Sequence, residues 1–284
     1  MPTYYVGLAN TTHDPAIAIV DERGEILFAE ASERALQDKR AWGAAPDRIG
    51  VIGDLLARHC PGEADFVVAS PWTNQVRGLL WLYAALGKLS PASIAHARND
   101  VVGPFLVERY QLLWMMARQR MSIGAAGTDL AFTLRHRFGH GRVRFSRRPH
   151  HTAHATYAAW ASPFRDAAVL VVDGFGEFGA VGGYRLRDGK LTPDTRSFGP
   201  GSLGYFYARL TEWCGFDPNR GEEWKVMGLA PYGKVDDALY RTLRSIVTVK
   251  GRGRLAFASP RRLARLTAEI APHRRTRGQP IEAA

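Results

Sequence analysis

His150 and His154 stand four residues apart in the run His150-His151-Thr152-Ala153-His154, and downstream the chain reads Asp173-Gly174-Phe175-Gly176-Glu177. On a helix, positions i and i+4 share a face, so two imidazoles at this spacing can chelate one divalent ion. The same spacing also fits a plain polar helix face. Two ligands do not complete a site, and a third, of carboxylate type, must come from elsewhere. His151 is expected to point away from the pair. In the second run, Gly174 and Gly176 let phosphate oxygens approach the backbone, while Asp173 and Glu177 offer carboxylates to Mg²⁺ or to ribose hydroxyls. A metal clamp beside a phosphate-binding turn points to an enzyme.

Two further groups carry chemistry. His13-Asp14 is an acid/base pair, and histidine is the side chain suited to taking a proton from an attacking hydroxyl at neutral pH. An Asx-type turn with an incidental histidine explains the same residues. Lys225 lies in Glu222-Glu223-Trp224-Lys225-Val226-Met227-Gly228-Leu229-Ala230-Pro231-Tyr232-Gly233. It offers positive charge to a phosphate or carbamoyl oxygen, or forms a solvated ion pair with the glutamates before it. Glu33-Arg34 and Lys39-Arg40 read as a charged, solvated face that can also steer an anionic substrate.

The elements that position these groups follow from patterning. Tyr4 to Ala9, Ala16 to Asp21 and Glu25 to Ala31 read as three antiparallel strands, the last two joined by a tight turn at Glu22-Arg23-Gly24. A helix fits Asp47 to His59, with Ile49, Ile52, Leu55 and Leu56 on one face, and Asp65 to Ser70 reads as the next strand. From Gln75 to about Phe138 the pattern is helical, with Val107, Tyr110, Leu113 and Met116 or Ala117 on one face. Arg142 to Ser146 reads as a strand and His150 to Trp160 as a helix stopped by Ser162-Pro163. Ala168 to Asp173 is then a strand, Gly174 to Glu177 a turn, Ala180 to Leu186 a strand, and Arg187-Asp188-Gly189 a turn into Lys190 to Thr192. This repeats the plan of the N-terminus, so the chain contains two related strand-loop-strand-turn-strand units, as suits a two-lobed α/β fold holding a ligand between its lobes. Taken singly, each loop also fits an ordinary hairpin. Ser202-Leu203-Gly204 opens a helix carrying Leu203, Phe206, Leu210 and Cys214 on one face, with Gly215 closing it. After Lys250 the chain is Arg-rich, and no final helix or strand is expected there.

Composition sets the class. The chain has 284 residues, 46% of them apolar, enough for one large or two modest domains rather than disorder. Its formal charge of +11 is spread through the chain, with clusters only at Arg142 to Arg148 and from Arg252 onward, which suits anionic small molecules as well as it suits nucleic acid, the least favoured partner. Cys60 and Cys214 lie at helix ends, far apart, and indicate neither a disulfide framework nor a thiolate metal knuckle. With no export signal and no apolar run of membrane-spanning length, a cytoplasmic location without a membrane partner is expected.

Taken in order, Gly7-Leu8 with His13-Asp14 and Ala16, Glu33-Arg34 with Lys39, His150 to Ala155, Ser162-Pro163-Phe164, Asp173 to Glu177, Ser202 to Tyr207 and Lys225 to Gly233 resemble the NodU/CmcH-type O-carbamoyltransferases. The string ending in Gly233 is the most specific. The resemblance implies a duplicated α/β fold of the actin/Hsp70/sugar-kinase-like (ribonuclease H-like) class with inserted helices. On that footing residues 1–284 are the N-terminal portion of a TsaD-like domain, with a first lobe over about 1–145, a helical insertion over about 75–138 and the start of a second lobe over about 146–284.

The same resemblance implies transfer of a carbamoyl group from carbamoyladenylate to a hydroxyl of a small-molecule or saccharide acceptor. Antibiotics and nodulation oligosaccharides are among the family's acceptors. Iron or another divalent metal would be held by His150 and His154. Asp173, Gly174, Gly176, Glu177, Lys225 and Gly228 would border the adenylate, with Mg²⁺ accompanying the nucleotide, and His13 and Asp14 would assist deprotonation. Family members are longer, draw an aspartate metal ligand from beyond residue 284, and carry a YrdC-like domain that makes carbamoyladenylate from carbamoyl phosphate and ATP. The expectation is therefore a chain that is inactive alone, as a fragment, a remnant or a split-gene subunit whose partner chain supplies those parts. A sugar kinase of the same fold, which leaves the paired histidines unexplained, and a non-catalytic nucleotide- or metal-binding subunit are the alternatives.

Overall fold

Strand β1 (Thr3–Ala9) buries Tyr4, Val6 and Leu8, and β2 (Ala16–Val20) buries Ile17 and Ile19. This period of two turns one face of each strand to the core. The computed structural model describes residues 1–11, 13–73, 126–137, 142–177, 179–196, 202–251 and 254–279. Within them β1 pairs antiparallel with β2, and β2 with β3 (Ile26–Ala31). Strand β4 (Asp65–Pro71) lies parallel to β1, and β5 (Val143–Arg148) parallel to β4, giving the order β3-β2-β1-β4-β5. The expected turn between β2 and β3 forms, with the Asp21 carboxylate accepting from the backbone N–H groups of Arg23 at 2.9 Å and Glu25 at 2.8 Å.

One face of this sheet is covered by helices. The short α1 (Ser32–Leu36) follows β3, and α2 (Ile49–His59) packs Ile52, Leu55 and Leu56 onto Val6, Leu8, Phe66 and Val68, with Leu130 and Leu134 of α3 (Thr128–Arg137) beside them. Each such Leu or Ile contributes about 2 kcal/mol through burial. Helix α2 begins later than Asp47 because the Asp47 carboxylate is engaged elsewhere. It accepts from the N–H groups of Gly127 at 2.8 Å and Leu130 at 3.0 Å, and so caps α3. Burial pushes the Asp47 pKa up against these two bonds, which pull it down. Of the helical stretch expected over 75–138, residues 126–137 are described, with a helix at Thr128–Arg137; Val107, Tyr110, Leu113, Met116 and Ala117 lie outside the described residues.

The described residues up to His150 form one unit and those from His151 onward a second. The second opens with α4 (His150–Trp160), bounded as the sequence predicts, and a three-stranded antiparallel sheet of β6 (Ala167–Gly176), β7 (Gly179–Arg187) and β8 (Lys190–Arg196) in that order. The expected turn over Gly174 to Glu177 is corrected here, because β6 continues to Gly176 and its pairing with β7 shifts register between Val172 and Gly176. Glycines suit a bulged strand end as well as a turn, so composition alone does not separate the two.

Beyond the sheet, α5 (Leu203–Trp213) starts at Ser202, whose hydroxyl accepts from the Tyr205 N–H, and ends in a Schellman motif. Gly215 N–H bonds Glu212 O at 2.9 Å and Phe216 N–H bonds Thr211 O at 3.0 Å, with Gly215 at φ 80°, a left-handed backbone suited to glycine. Helices α6 (Glu223–Leu229) and α7 (Asp237–Arg244) follow, then a hairpin of β9 (Val247–Lys250) and β10 (Arg254–Phe257), and finally α8 (Pro260–Ile270). A closing strand and helix therefore do exist in the Arg-rich region. Leu263, Leu266 and Ile270 pack with Phe206, Trp213, Leu243 and Ile246, while Arg261, Arg262 and Arg265 face solvent. The basic stretch is the wet side of an amphipathic helix.

The antiparallel meander that opens the first unit recurs as the opening sheet of the second. This duplicated α/β plan, continued in the first unit by two parallel strands, is that of the actin/Hsp70/sugar-kinase-like class. Among the described residues no helix is long and apolar enough to cross a membrane.

Candidate metal centre

Helix α4 lies on β6 and β7, with Ala155 and Ala159 against Val169, Val171, Tyr184 and Leu186. His151 heads the same i, i+4, i+8 stripe and is buried. At about 100° per residue, His154 falls between His150 and His151, so all three imidazoles share an arc of about 100°. The expectation that His151 points away is corrected accordingly. It turns toward the sheet, and its Nε2 lies 3.5 Å from Asp173 Oδ2.

His150, His154 and Asp173 each offer one ligand atom, and these atoms lie within 4.8 Å of one another. A divalent ion with bonds of about 2.1 Å holds ligand atoms up to about 4.2 Å apart, so small side-chain rotations close the set around an ion. Two imidazoles and a carboxylate suit iron, zinc or a neighbouring first-row ion, so the residues present fit the metal that the sequence implies. His150 is buried, Asp173 half-buried and His154 exposed, so the cluster has one side open to solvent.

Helix α5 fixes the backbone at Asp173. Its capping Ser202 hydroxyl bonds the carbonyl of Gly174 and lies 3.1 Å from that of Asp173. A Cβ on Gly204 would come within 2.7 Å of both Cα and N of Gly174, so only glycine lets the first turn of α5 press on this peptide. The Asp173 carboxylate accepts in turn from the Gly174 N–H at 2.6 Å. Sequence reasoning found Ser202-Leu203-Gly204 as a helix start, but the contact it makes with residues 173–174 leaves no trace in local spacing.

Glu177, expected beside the adenylate, is buried in a left-handed backbone (φ 59°), and Arg196 pairs with it at 3.0 Å. A Cβ on Gly174 or Gly228 would meet nothing within 4 Å, so the side on which a Cβ would stand is open at both. Lys225 Nζ lies 2.6 Å from Glu222 Oε1, the ion-pair arrangement of the two weighed from sequence. It also stands over the rings of Phe216 and Trp224. The H-bond from Lys225 is the largest of the effects that draw Glu222 below the usual carboxylate range.

In the first unit, His13 Nδ1 and Asp14 Oδ2 are 2.5 Å apart. Asp14 has a left-handed backbone (φ 54°), its N–H bonds Arg40 O at 2.7 Å, and the Arg40 guanidinium lies 3.9 Å from its carboxylate. Trp42 packs edge-on to the His13 ring at 4.9 Å. Partial burial works to raise the Asp14 pKa. The H-bond to His13, then the charges of His13, Arg40 and Lys39, outweigh it and hold the carboxyl below its ordinary value.

A duplicated meander fold thus carries a cluster of two histidines and one carboxylate that could hold a metal ion. The chain belongs to the carbamoyltransferase family, matching the Carbamoyltransferase N-terminus over residues 5–263. It is 31% identical over 242 residues to an uncharacterized protein of Synechocystis sp., covering 82% of this chain and 35% of that protein. It is 37% identical over 95 residues to the nodulation protein NolNO of Sinorhizobium fredii, covering 33% of this chain and 13% of that one. The chain thus spans about a third or less of these curated relatives. Among solved structures, the ethanolamine utilization protein EutJ of Carboxydothermus hydrogenoformans is similar at 13% identity and a TM-score of 0.35, over 86% of this chain and 65% of that one. That likeness is too loose to bear on function.

Proposed function

We propose that this chain is the N-terminal part of an enzyme that transfers a carbamoyl group from carbamoyladenylate to a hydroxyl of a small-molecule or saccharide acceptor. The observation that carries the reading is the convergence of His150, His154 and Asp173 in a chain that belongs to the carbamoyltransferase family. His150 and His154 would hold a divalent ion, iron or a close relative, which would supply Lewis-acid activation of the carbamoyl group. The acceptor oxygen forms a bond to the carbamoyl carbon, the bond from that carbon to the bridging phosphate oxygen breaks, and AMP leaves with the electron pair.

His13 takes the hydroxyl proton. Its Nδ1 is bound to Asp14, which leaves Nε2 to accept, and the depressed Asp14 carboxyl stays anionic to stabilise the imidazolium. The open Cβ side of Gly174 and of Gly228 suits close approach of the adenylate, with Asp173, Gly176 and Glu177 beside Gly174. Lys225 reaches a phosphate oxygen by exchanging its bond with Glu222.

The test supplies the chain, together with a chain that provides the remainder of the enzyme, with carbamoyladenylate and a panel of hydroxyl acceptors and measures AMP release. Acceptor-dependent release, lost in His13→Ala and in the double variant His150→Ala/His154→Ala, is the expected result. The double variant is also expected to lose its bound metal by elemental analysis. ADP formation from ATP and a sugar, or AMP release indifferent to acceptor, overturns the reading.

A further inference from the structure

We infer that the arginine-bearing face of α7, α8 and the residues that follow α8 is a docking surface for the phosphate backbone of duplex DNA, bound without regard to sequence. This surface lies outside carbamoyl transfer and uses none of the residues placed at the metal centre or beside the adenylate. Read from sequence, nucleic acid is the least favoured partner and no helix is expected after Lys250. The helix that forms there sorts arginines from apolar residues and changes that order.

Charge is concentrated in this region. Residues 237–279 carry eleven Lys and Arg, ten of them Arg, against Asp237 and Glu269, so +9 of the net +11 falls in one stretch. The fold turns that charge outward. Helix α7, the β9–β10 hairpin and α8 share an apolar core through Leu243, Ile246, Phe257, Leu266 and Ile270. Arg241, Arg244, Arg261, Arg262, Arg265 and Arg274 stay exposed, and among the described residues no carboxylate forms an ion pair with any of them. Two acids of the region are engaged elsewhere. Asp236 accepts from the N–H groups of Ala238 at 2.8 Å and Leu239 at 2.9 Å, and Glu269 lies 3.4 Å from Thr242 Oγ1. Arg261 and Arg262 also stand in the first turn of α8, which holds no acid, although the helix dipole disfavours cations there. A bound polyanion offsets both that cost and the mutual repulsion of the arginines.

The chemistry of the face selects its occupant. Guanidinium groups bond phosphate oxygens two at a time. A membrane needs an apolar helix face free to insert, and that of α8 is buried in the core. A protein interface is depleted of charge at its centre and built on apolar anchors. Here Tyr240 and Val249 are the exposed large apolar side chains among the described residues of the stretch. A single strand needs several aromatic platforms for its bases, and Tyr240 is one. Protein–DNA interfaces are strongly positive, and phosphate contacts alone sustain sequence-independent binding. Duplex RNA is read in part through its 2′-hydroxyls, for which a row of cations has no selective partner, so DNA is the duplex this face fits.

The experiment follows the fluorescence anisotropy of a labelled DNA duplex of about 20 base pairs and mixed sequence, titrated with the whole chain between about 50 and about 200 mM NaCl. The expected log–log slope of affinity against salt is about −4.5, as about five neutralised phosphates give. Arg261→Gln/Arg262→Gln/Arg265→Gln makes the slope shallower by about 2.7 and weakens binding more than about 10-fold at the lowest salt, with unchanged circular dichroism. Arg241→Gln/Arg244→Gln keeps the test decisive should the α8 variant fold poorly, and makes the slope shallower by about 1.8. Arg142→Gln/Arg144→Gln/Arg148→Gln, which removes the same charge from β5 as the α8 variant removes, stays within about 3-fold of wild type. Equal losses in the α8 and β5 variants mean attraction to net charge alone and overturn the inference, as does absent or salt-insensitive binding. Duplex RNA, polyglutamate or phosphatidylserine vesicles held more tightly than DNA by the same arginines would name another occupant and overturn it too. None of these outcomes bears on carbamoyl transfer, which AMP release tests by itself.

Discussion

The β1–β2 loop and the β6–β7 corner occupy the same place in two copies of one antiparallel meander, yet they hold their carboxylates in opposite ways. Asp14 is half-exposed, sits on a left-handed backbone and is held by side chains, those of His13 and Arg40. Asp173 is held from behind through its own main chain, by the Ser202 hydroxyl that caps α5, by Gly204 and by its own neighbour Gly174. The first arrangement suits a group whose protonation must respond to a reacting partner. The second suits a group whose position must not change, as for a ligand. A duplicated scaffold has thus been specialised by what packs behind each corner rather than by the strands themselves.

If that contrast is right, the two corners respond unequally to one added methyl group. Gly204→Ala drives a Cβ against the Gly174 backbone at 2.7 Å, where no side chain can yield. Overpacking of this kind is expected to cost about 3 kcal/mol. Gly7→Ala, in β1 just ahead of the first corner, meets nothing within 4 Å and is expected to be neutral or slightly stabilising. Urea unfolding of the two variants measures the difference, and equal costs would break the comparison. Ser202→Ala is the milder version of the first change. It removes the cap on Tyr205 N–H and the bonds to the 173–174 carbonyls, for about 1 kcal/mol, with faster amide exchange at Tyr205 as its local signature.

Much of this was legible beforehand, and the reason differs by element. Helix α4 was bounded correctly because His150 to Trp160 is rich in alanine and closed by Ser162-Pro163, and the two meanders were visible because alternation and turn residues recur in the same order. Helix α8 was missed because arginines interrupt its apolar residues, although Leu263, Leu266 and Ile270 keep helical spacing and Ser259-Pro260 marks a start. The Asp47 cap, the clamp of Ser202 and Gly204 on residue 173, and the turn of His151 toward the sheet are contacts between distant segments. Local pattern says which residue types are available but not which backbone they will meet. The histidine pair was therefore found from spacing, while the carboxylate between them needed the fold.

The smallest effect, and the sharpest test of the first corner, is the pH dependence of Asp14. Its folded pKa lies below its unfolded value, near about 3.9 for an ordinary aspartate. The bonds to His13 and Arg40 therefore stabilise the fold fully above that unfolded value, and the contribution is lost as pH falls through the folded one. Asp14→Asn should lower stability by less than about 1 kcal/mol at pH 6, since the carboxylate is half-exposed and screened. That deficit should close as both proteins are taken to pH 3 in parallel urea titrations. A deficit that persists unchanged at low pH would mean that Asp14 supports the loop by its left-handed turn and hydrogen-bonding shape rather than by charge. The carboxylate would then be as structural as the second corner, and the proposed division of labour between the two would fail.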